Sequence, residues 1–397
     1  MIPIYKPSIT ELEKKYVNDC LDTGWISANG PYVTEFEEAF AEKINSKYAL
    51  TVCNGTLAIH LALMALGIEE GDEVIVPTFT YIASVNPIKY CGATPIFVDS
   101  LQSSWQINPN DVRKKITNKT KAIMGIDLFG QPCDMLELKK ICNKHNLKFI
   151  CDSAQSIGAK YKNNYSSTYA DVGGYSLNFH KHINTGEGGI IITNNKKIAH
   201  KCRLIRNHAE VTVGKSNSRE LVNMIGYNFR LTEIQAAIGI EQLKKLKKII
   251  KKKIEIANYL SKNLSKLPGL EIPYLKKNRT HVYYSYPMKI NSEITKIHRD
   301  KIWKMLLGEG VPVNNKIPCL HLLPMFQKQI AFGNNNYPWN KNRKYKGIYK
   351  SGTLPIAEKL SDNSILCLQM WAYDFTKKDL DKIINIFYKV WKKLELI

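Results

Sequence analysis

The chain has 397 residues, with 57 lysines and arginines against 35 aspartates and glutamates, so its formal net charge is +22. No apolar run approaches the roughly 20 residues that cross a bilayer, and the start lacks the regions of a signal peptide, so neither a membrane span nor secretion is expected. Nine scattered cysteines without a C-x-x-C pair argue against a zinc site or a disulfide framework and favour the cytoplasm.

The first half of the chain alternates short apolar runs with helical patterns. Buried strands are predicted at 48–53, 73–77, 94–99, 121–127, 148–152 and 189–193. Helices are predicted between them at 57–66, 111–115 and 135–143. This alternation predicts a mostly parallel sheet with helices on both faces. Ligands of such sheets bind beyond the carboxyl ends of the strands, which directs attention to 54–56, 77–81 and 152–155.

The second half of the chain does not show this regular alternation of strand and helix patterns. It contains a long helical pattern, a strand-like stretch, a loop rich in Asn, Gly, Lys and Tyr, and a closing amphipathic helix, at 231–264, 281–290, 333–350 and 379–394 respectively. The length of the chain favours two domains. We predict a large domain over 1–245 and a smaller α+β domain over 246–397, with the N-terminal segment able to pack on the smaller one.

Part of the positive charge is concentrated in one helical pattern. Seven lysines at 244, 245, 247, 248 and 251–253 surround apolar residues spaced three or four positions apart, at 243, 246, 250, 254 and 257. That spacing favours a solvated amphipathic helix over a nucleic-acid-binding surface. No recognised nucleic-acid motif accompanies the charge, so no nucleic-acid partner is expected.

Asp152 and Lys181 are the sharpest candidates for chemistry. Asp152 ends a predicted strand, and Lys181 follows 29 residues later, just before the glycine-rich stretch 186–189. A buried lysine near another cation can form a Schiff base, and a carboxylate can keep a pyridine nitrogen protonated. Most Asp–Lys pairs are surface charges worth little, so these two residues alone leave both interpretations open.

The wider pattern resembles a known family. The stretches that carry the resemblance are 16–27, 30–37, 53–62, 71–84, 127–131, the Asp152 and Lys181 segments, 226–239, 355–360 and 366–370. In this order they resemble nucleotide-sugar aminotransferases of the DegT/StrS type. The resemblance implies an α/β fold, the pyridoxal-phosphate-dependent transferase fold type I, with a mostly parallel central sheet flanked by helices. It also implies pyridoxal 5'-phosphate as cofactor, with pyridoxamine 5'-phosphate formed during turnover.

The resemblance implies roles for residues around the cofactor ring. Lys181 would form the imine bond and later carry a proton between substrate and cofactor. Asp152 would pair with the pyridine nitrogen, and Gln155 would contact the phenolic oxygen. Tyr81 would stack on the ring, for which a flat aromatic face is suited. From the residues alone, Asp152 could instead cap a strand end, and Tyr81 could be ordinary core packing.

Another group of residues is implied to hold the phosphate. Gly55 and Thr56 match the phosphate-binding pair, and a helix beginning there would direct free backbone N–H groups at the anion. Ser176 resembles a further phosphate ligand, although it could be a plain turn residue. Asn228 resembles a residue that reaches the site of the neighbouring subunit, which implies a homodimer. Asn228 could also simply cap the helix that follows.

The chain departs from the family in a few positions. Asp127 stands where many members carry histidine, which suggests a change at the substrate end of the site. Related sugar dehydratases have histidine in place of the Schiff-base lysine, whereas Lys181 is present here. The flanking His180 and His182 lack further ligand types nearby, so we favour substrate contact or packing and expect no metal.

The resulting expectation is an aminotransferase. It would take an amino group from L-glutamate or glutamine and pass it to a keto sugar, foremost a nucleotide-linked keto-deoxy sugar for surface polysaccharide. A keto-inositol or a small phosphorylated ketone is the alternative acceptor. A sugar dehydratase that uses the same cofactor, or a non-catalytic cofactor-binding regulator, is the alternative function.

Overall fold

The computed structural model describes residues 3–209, 225–330, 333, 336–339 and 347–397. In these residues the helices are α1 (Glu11–Thr23), α2 (Pro31–Ile44), α3 (Gly55–Ala65), α4 (Asn86–Tyr90), α5 (Pro109–Lys115), α6 (Met135–His145), α7 (Lys196–Arg206), α8 (Glu233–Leu264), α9 (Ser292–Thr295), α10 (Arg299–Gly308), α11 (Pro324–Gln327), α12 (Pro355–Lys359) and α13 (Lys377–Lys393). The strands are β1 (Tyr48–Val52), β2 (Glu73–Pro77), β3 (Thr94–Val98), β4 (Thr120–Ile126), β5 (Lys148–Asp152), β6 (Lys160–Tyr161), β7 (Asn164–Tyr165), β8 (Val172–Ser176), β9 (Gly189–Thr193), β10 (Leu270–Glu271), β11 (Ser285–Ile290), β12 (Val313–Asn314) and β13 (Ile365–Gln369).

Seven strands form the central sheet, in the order β1-β9-β8-β5-β4-β2-β3. The pairs β2–β3, β2–β4, β4–β5 and β5–β8 are parallel, whereas β9 is antiparallel to its neighbours β8 and β1. The prediction of a mostly parallel sheet is therefore confirmed. The sequence patterns missed β8, because its Val-Gly-Gly-Tyr-Ser run has few apolar side chains. A Cβ at Gly173 or Gly174 would lie 2.6 or 2.7 Å from a neighbouring side-chain atom, so glycine lets this strand pack closely.

Helices cover both faces of the sheet, as parallel strands require. On one face, α3 and α4 pack on the strands through Leu63 and Ile88, in a core that also holds Val74 and Met124. On the other face, α6 packs through Leu138 in a core with the alternate strand residues, such as Ile75 and Ile123. Each strand therefore buries side chains in both directions, which explains why the strands read as continuous apolar runs.

The long helix α8 links the two halves of the chain. It begins with a capping box in which the Thr232 side chain accepts a hydrogen bond from the Gln235 N–H and the Gln235 side chain accepts one from the Thr232 N–H. Its early apolar residues, such as Leu243, pack with α2, and its later ones, such as Leu260, pack in the C-terminal core. Most of its clustered lysines are exposed or partly exposed, but Lys253 is buried.

The C-terminal half contains a smaller sheet of four strands, in the order β10-β11-β13-β12, with helices packed against it. Its core includes Leu306 of α10 with Phe387 and Trp391 of α13, and Trp391 is fully buried. The strand predicted at 281–290 begins only at Ser285. The preceding N–H groups of Val282 and Tyr284 instead donate to carbonyls of the 128–130 turn.

The two halves are interlocked. The boundary expected at 246 falls inside α8. Beyond it, Phe326, Leu354 and other residues of 319–360 pack against the central sheet, in the same core as Phe97. Of the predicted loop 333–350, positions 334–335 and 340–346 lie outside the described residues. Among the helices that are described, none combines the length and apolar character needed to cross a membrane.

Candidate functional site

Asp152 ends β5, near the middle of the central sheet. Its carboxylate accepts a hydrogen bond from Ser84 Oγ at 2.6 Å and another from the Ala154 N–H at 3.0 Å. Burial raises the pKa of this carboxyl, while both hydrogen bonds and the positive charge of Lys181 act in the opposite direction. The carboxylate is thus fixed in place inside the protein, and a bound cation would favour its ionised form.

Lys181 lies in the turn between β8 and β9. The turn is closed by the Leu177 N–H, which donates to Gly188 O, and by the Thr185 N–H, which donates to Leu177 O. The amine lies 4.5 Å from the ring centre of Tyr284. Burial lowers the pKa of Lys181 to about 8, against the opposing effects of Asp152 and Glu187. The amine therefore becomes unprotonated and nucleophilic at a lower pH than the amine of a solvated lysine.

The N-terminus of α3 faces the same region. Asn54 caps the helix by accepting a hydrogen bond from the Leu57 N–H at 2.9 Å. The N–H groups of Gly55 and Thr56 donate to no described residue, so they are free to bind an anion. A Cβ on Gly55 would lie 2.7 Å from Cβ of Ser176, at the end of β8. Glycine at position 55 therefore lets α3 begin in close contact with Ser176, which is predicted to bind the same phosphate.

The glycines before β9 have a similar steric reason. Gly186 has a φ of +83°, which L side chains rarely adopt. A Cβ on Gly189 would lie 2.4 Å from the carbonyl oxygen of Asn54. The glycine-rich stretch thus lets the turn that carries Lys181 approach the start of α3.

Gln155 is oriented by the turn that follows β4. Its side-chain oxygen accepts a hydrogen bond from the Phe129 N–H at 2.7 Å, and Phe129 has a left-handed φ of 60°. Because the oxygen is occupied in this way, the amide NH₂ of Gln155 is the end left to donate to a ligand.

Tyr81 follows β2 and is 67% exposed. The alternative that it is a core aromatic is therefore wrong for this chain. Its ring is open to a ligand or to a second subunit.

Asn228 lies beside the start of α3. The adjacent Phe229 accepts a hydrogen bond from the Cys53 N–H at 3.0 Å, and Asn228 itself forms an isolated β-bridge with Asn207. Its side chain is exposed and forms no hydrogen bond with a described residue. The alternative that Asn228 caps α8 is wrong, since that cap is Thr232.

The two histidines beside Lys181 differ in their surroundings. His180 packs among aromatic rings, with ring centres 5.1 Å from Trp371 and 5.9 Å from Tyr284. His182 is buried and hydrogen-bonds through Nε2 to Val282 O at 2.8 Å. No group of three or more metal-binding side chains occurs in the part of the chain that the structure describes.

Asp127 is not at the substrate end of the site, contrary to the expectation from its position. It is fully buried and accepts hydrogen bonds from Ser156 Oγ at 2.9 Å, Ser153 Oγ at 3.2 Å, Ser166 Oγ and the Cys133 N–H. Its side chain thereby braces the turn that follows Asp152.

Two neighbours of the site were not identified from the sequence. Ser84 fixes Asp152 and closes the stretch 71–84, which could have marked it. Tyr284 lies under the Lys181 amine but is distant in sequence, so no local pattern pointed to it.

These groups fit pyridoxal phosphate in their chemistry. The free N–H groups of α3, with no room for a side chain at Gly55, suit its phosphate. The amine of Lys181 has the lowered pKa that imine formation needs. It interacts electrostatically with the buried carboxylate of Asp152, which is suited to pair with a basic ring nitrogen.

Comparison with known proteins gives the same answer. The profile of the DegT/DnrJ/EryC1/StrS aminotransferase family matches residues 7–387. The GDP-perosamine synthase of Escherichia coli O157:H7 is 41% identical over 92% of this chain and 96% of its own length. The solved aminotransferase of Psychrobacter cryohalolentis superposes with a TM-score of 0.87 at 29% identity, covering 98% of both chains.

A further relative carries the cofactor itself. The structure of NtdA from Bacillus subtilis, solved with bound pyridoxamine phosphate, has a TM-score of 0.83 at 28% identity, over 98% of this chain and 83% of that one. The predicted family, fold type and cofactor are confirmed. The chain belongs to the DegT/DnrJ/EryC1/StrS aminotransferase family and is an enzyme that depends on pyridoxal phosphate.

Proposed function

We propose that this aminotransferase moves an amino group from L-glutamate or L-glutamine to a nucleotide-linked keto-deoxy sugar used for surface polysaccharide. The observation that carries the proposal is the combination of Lys181, Asp152 and the free N-terminus of α3 at one edge of the sheet. The name of the Escherichia coli relative supports a nucleotide-linked amino sugar as the product.

Each group around the cofactor has a distinct task in this proposal. Bound pyridoxal phosphate supplies an electron sink for the carbon that loses or gains a proton. Asp152 holds a proton at the pyridine nitrogen, and Gln155 donates its amide N–H to the phenolic oxygen. Tyr81 covers a face of the ring. These tasks are the roles that the family resemblance implies. The orientation of the Gln155 amide supports the role assigned to that residue.

The phosphate is assigned to the start of α3. The N–H groups of Gly55 and Thr56 and the hydroxyl of Ser176 bind it, in a place where the helix dipole favours negative charge. The same contacts would hold the cofactor within reach of Lys181.

Lys181 acts as the base of the reaction. Its Nζ takes the proton from the substrate carbon in one half-reaction and returns a proton in the other. Burial favours the neutral amine that accepts this proton, while the ring of Tyr284 stabilises the ammonium that results. The side chain is therefore suited to exist in both protonation states.

The donor and acceptor can be identified by a two-stage absorbance titration of the holoenzyme. Glutamate is expected to remove the visible band of the bound cofactor completely. The band should return with the ketone that yields GDP-perosamine on amination, and not with the same sugar lacking its nucleotide. If neither glutamate nor glutamine changes the spectrum at full cofactor occupancy, the proposed reaction is wrong. Return of the band with a keto-inositol or a phosphorylated ketone would favour the alternative acceptors.

We also propose that the enzyme works as a homodimer in which Asn228 reaches the phosphate of the neighbouring site. The exposed amide of Asn228, which forms no hydrogen bond with a described residue, supports this assignment. Exposed apolar side chains nearby point the same way, since Tyr90 and Tyr227 are 44% and 40% exposed and both contact His60. Ile225 is 87% exposed.

A mixing experiment tests the role of Asn228. Asn228→Ala alone is expected to weaken cofactor binding by roughly 10-fold, because a hydrogen bond to a charged group is lost. Lys181→Ala alone should be inactive. If the amide serves the neighbouring site, dimers formed from both variants contain one intact site, and random exchange of subunits restores about a quarter of wild-type activity. If Asn228 serves its own site, the mixture keeps only half the activity of Asn228→Ala alone, when both are assayed at a cofactor concentration that leaves most Asn228→Ala sites empty.

A cytoplasmic location is also proposed, from the state of the cysteines. All nine cysteines are described, and each is a free thiol. Thiols that stay reduced are typical of the cytoplasm, and we place the enzyme there.

A further inference from the structure

A second cavity lies behind the turn that carries Lys181. Its volume is about 320 Å³, and it is enclosed by the N-terminal residues 6–10, the middle of α8 and the stretch 371–374. None of the proposed cofactor-binding residues lines it. It reaches the turn through His182 and Asn184, which lie one and three residues after Lys181. Its volume is at the lower end of the range for small-molecule sites.

The wall of the cavity is strongly positive. Five lysines line it, at 6, 245, 248, 252 and 253, against a single carboxylate, Asp374. Two of these amines are neutralised, since Lys252 pairs with Asp374 at 2.9 Å and Lys245 pairs with Glu13.

Lys253 is occupied in another way. Its amine donates to the carbonyl oxygens of Met370, Trp371 and Tyr373, which uses all three of its protons. The amines of Lys6 and Lys248 form no ion pair with a described residue. The cavity therefore has two cations available to a ligand.

Two buried polar side chains also face the cavity. Asn184 is only 5% exposed, and its amide makes no hydrogen bond to a described residue. Because Asn184 lines the cavity and its amide is not among the fully buried groups without a partner, the amide is accessible to a ligand or to water. Its NH₂ group is a donor suited to an anionic oxygen.

His182 adds an acceptor. Its Nε2 hydrogen-bonds to the carbonyl of Val282, so Nε2 carries the proton and Nδ1 is left with a lone pair. Burial lowers the pKa of His182 to about 4, which keeps the ring neutral near physiological pH. A ligand matched to this ring presents an O–H donor, whereas a fully deprotonated oxygen would face the lone pair unfavourably.

We propose that this cavity binds a small phosphate-bearing anion that keeps one hydroxyl proton. The cations of Lys6 and Lys248 attract its negative oxygens. Asn184 donates a hydrogen bond to one of them, and His182 Nδ1 accepts the proton of another. The site is separate from the pocket proposed for the cofactor phosphate, since Gly55, Thr56 and Ser176 do not line the cavity.

Calorimetric titration of the holoenzyme tests this site, because bound cofactor keeps its own phosphate pocket filled. The probes are inorganic phosphate and sulfate at about pH 8, where both are dianions of similar shape and only phosphate has an O–H donor. Phosphate is expected to bind saturably and about 10-fold more tightly than sulfate, since sulfate lacks the hydrogen bond to His182. Equal affinities would overturn the proposed role of the ring.

Two variants locate the binding. Asn184→Leu should weaken phosphate binding by roughly 10-fold, because a hydrogen bond to a charged oxygen is lost. Lys248→Ala, on the exposed face of α8, should weaken it by about 3-fold and leave the cofactor spectrum unchanged. Lys247→Ala is the matched control, since Lys247 does not line the cavity, and it should bind like the wild type. The proposal fails if no saturable binding is observed or if both test variants bind normally.

Discussion

Replacement of Lys181 by alanine is expected to abolish the visible absorption of bound cofactor and to lower kcat by on the order of 10⁴-fold. The substitution removes both the amine that forms the covalent bond and the base that moves the proton. Cofactor held only by its phosphate and ring contacts should be lost on dialysis. Absorbance spectra before and after dialysis, with single-turnover kinetics, measure both effects.

Lys89→Met is a matched control for this experiment. Lys89 is also buried, and burial lowers its pKa to about 8 as well, but its amine lies over the ring of Trp339 instead of at the site. The control variant should keep the wild-type spectrum and activity. If Lys181→Ala kept the visible band while Lys89→Met lost it, the assignment of the Schiff-base lysine would be wrong.

Asp152→Asn is expected to lower kcat by on the order of 10²- to 10³-fold while the cofactor stays covalently bound. Asparagine has nearly the same shape, so the hydrogen bond from Ser84 can persist, but the negative charge opposite the ring nitrogen is lost. Without this charge the pyridine nitrogen would not be held in its protonated form, and the bound cofactor would be a weaker electron sink. Stopped-flow measurement of the glutamate half-reaction isolates this step from cofactor binding.

The effect of Asp152→Asn should be specific to the site. Asp127→Asn alters another fully buried carboxylate, one strand away, which is satisfied by serine hydroxyls. That variant should lower thermal stability, because a hydroxyl donor then faces an amide donor, but it should change kcat by less than about 10-fold. If the two variants slowed the half-reaction equally, a general loss of packing would explain the result for Asp152.

The sequence was most informative where strand, turn and helix follow each other directly. Apolar runs located the strands that end at Asp152 and before Asn54, and the glycine-rich stretch 186–189 indicated a tight turn after Lys181. In each case the physical constraint acts within a few residues, so the local pattern retains it.

Contacts between residues that are distant in the sequence could not be predicted from local patterns. The direction of the Asp127 side chain depends on the left-handed turn at Phe129 and on serines up to 39 residues away. Tyr284 contacts the Lys181 amine although the two are 103 residues apart, and its N–H donates to the carbonyl of Phe129, which is more distant still. Such contacts are set by how distant segments pack, and no spacing in the sequence encodes them. The glycines of β8 also concealed a strand that carries Ser176.

The helix α8 limits how this enzyme can move. It has 32 residues, about 48 Å of continuous helix, and it is held in the core beside the sheet at one end and in the C-terminal core at the other. A hinge between the two halves would have to break backbone hydrogen bonds in its middle turns. The framework around Lys181 is therefore mechanically stiff, and adjustment to different sugars is left to the loops and side chains at its mouth.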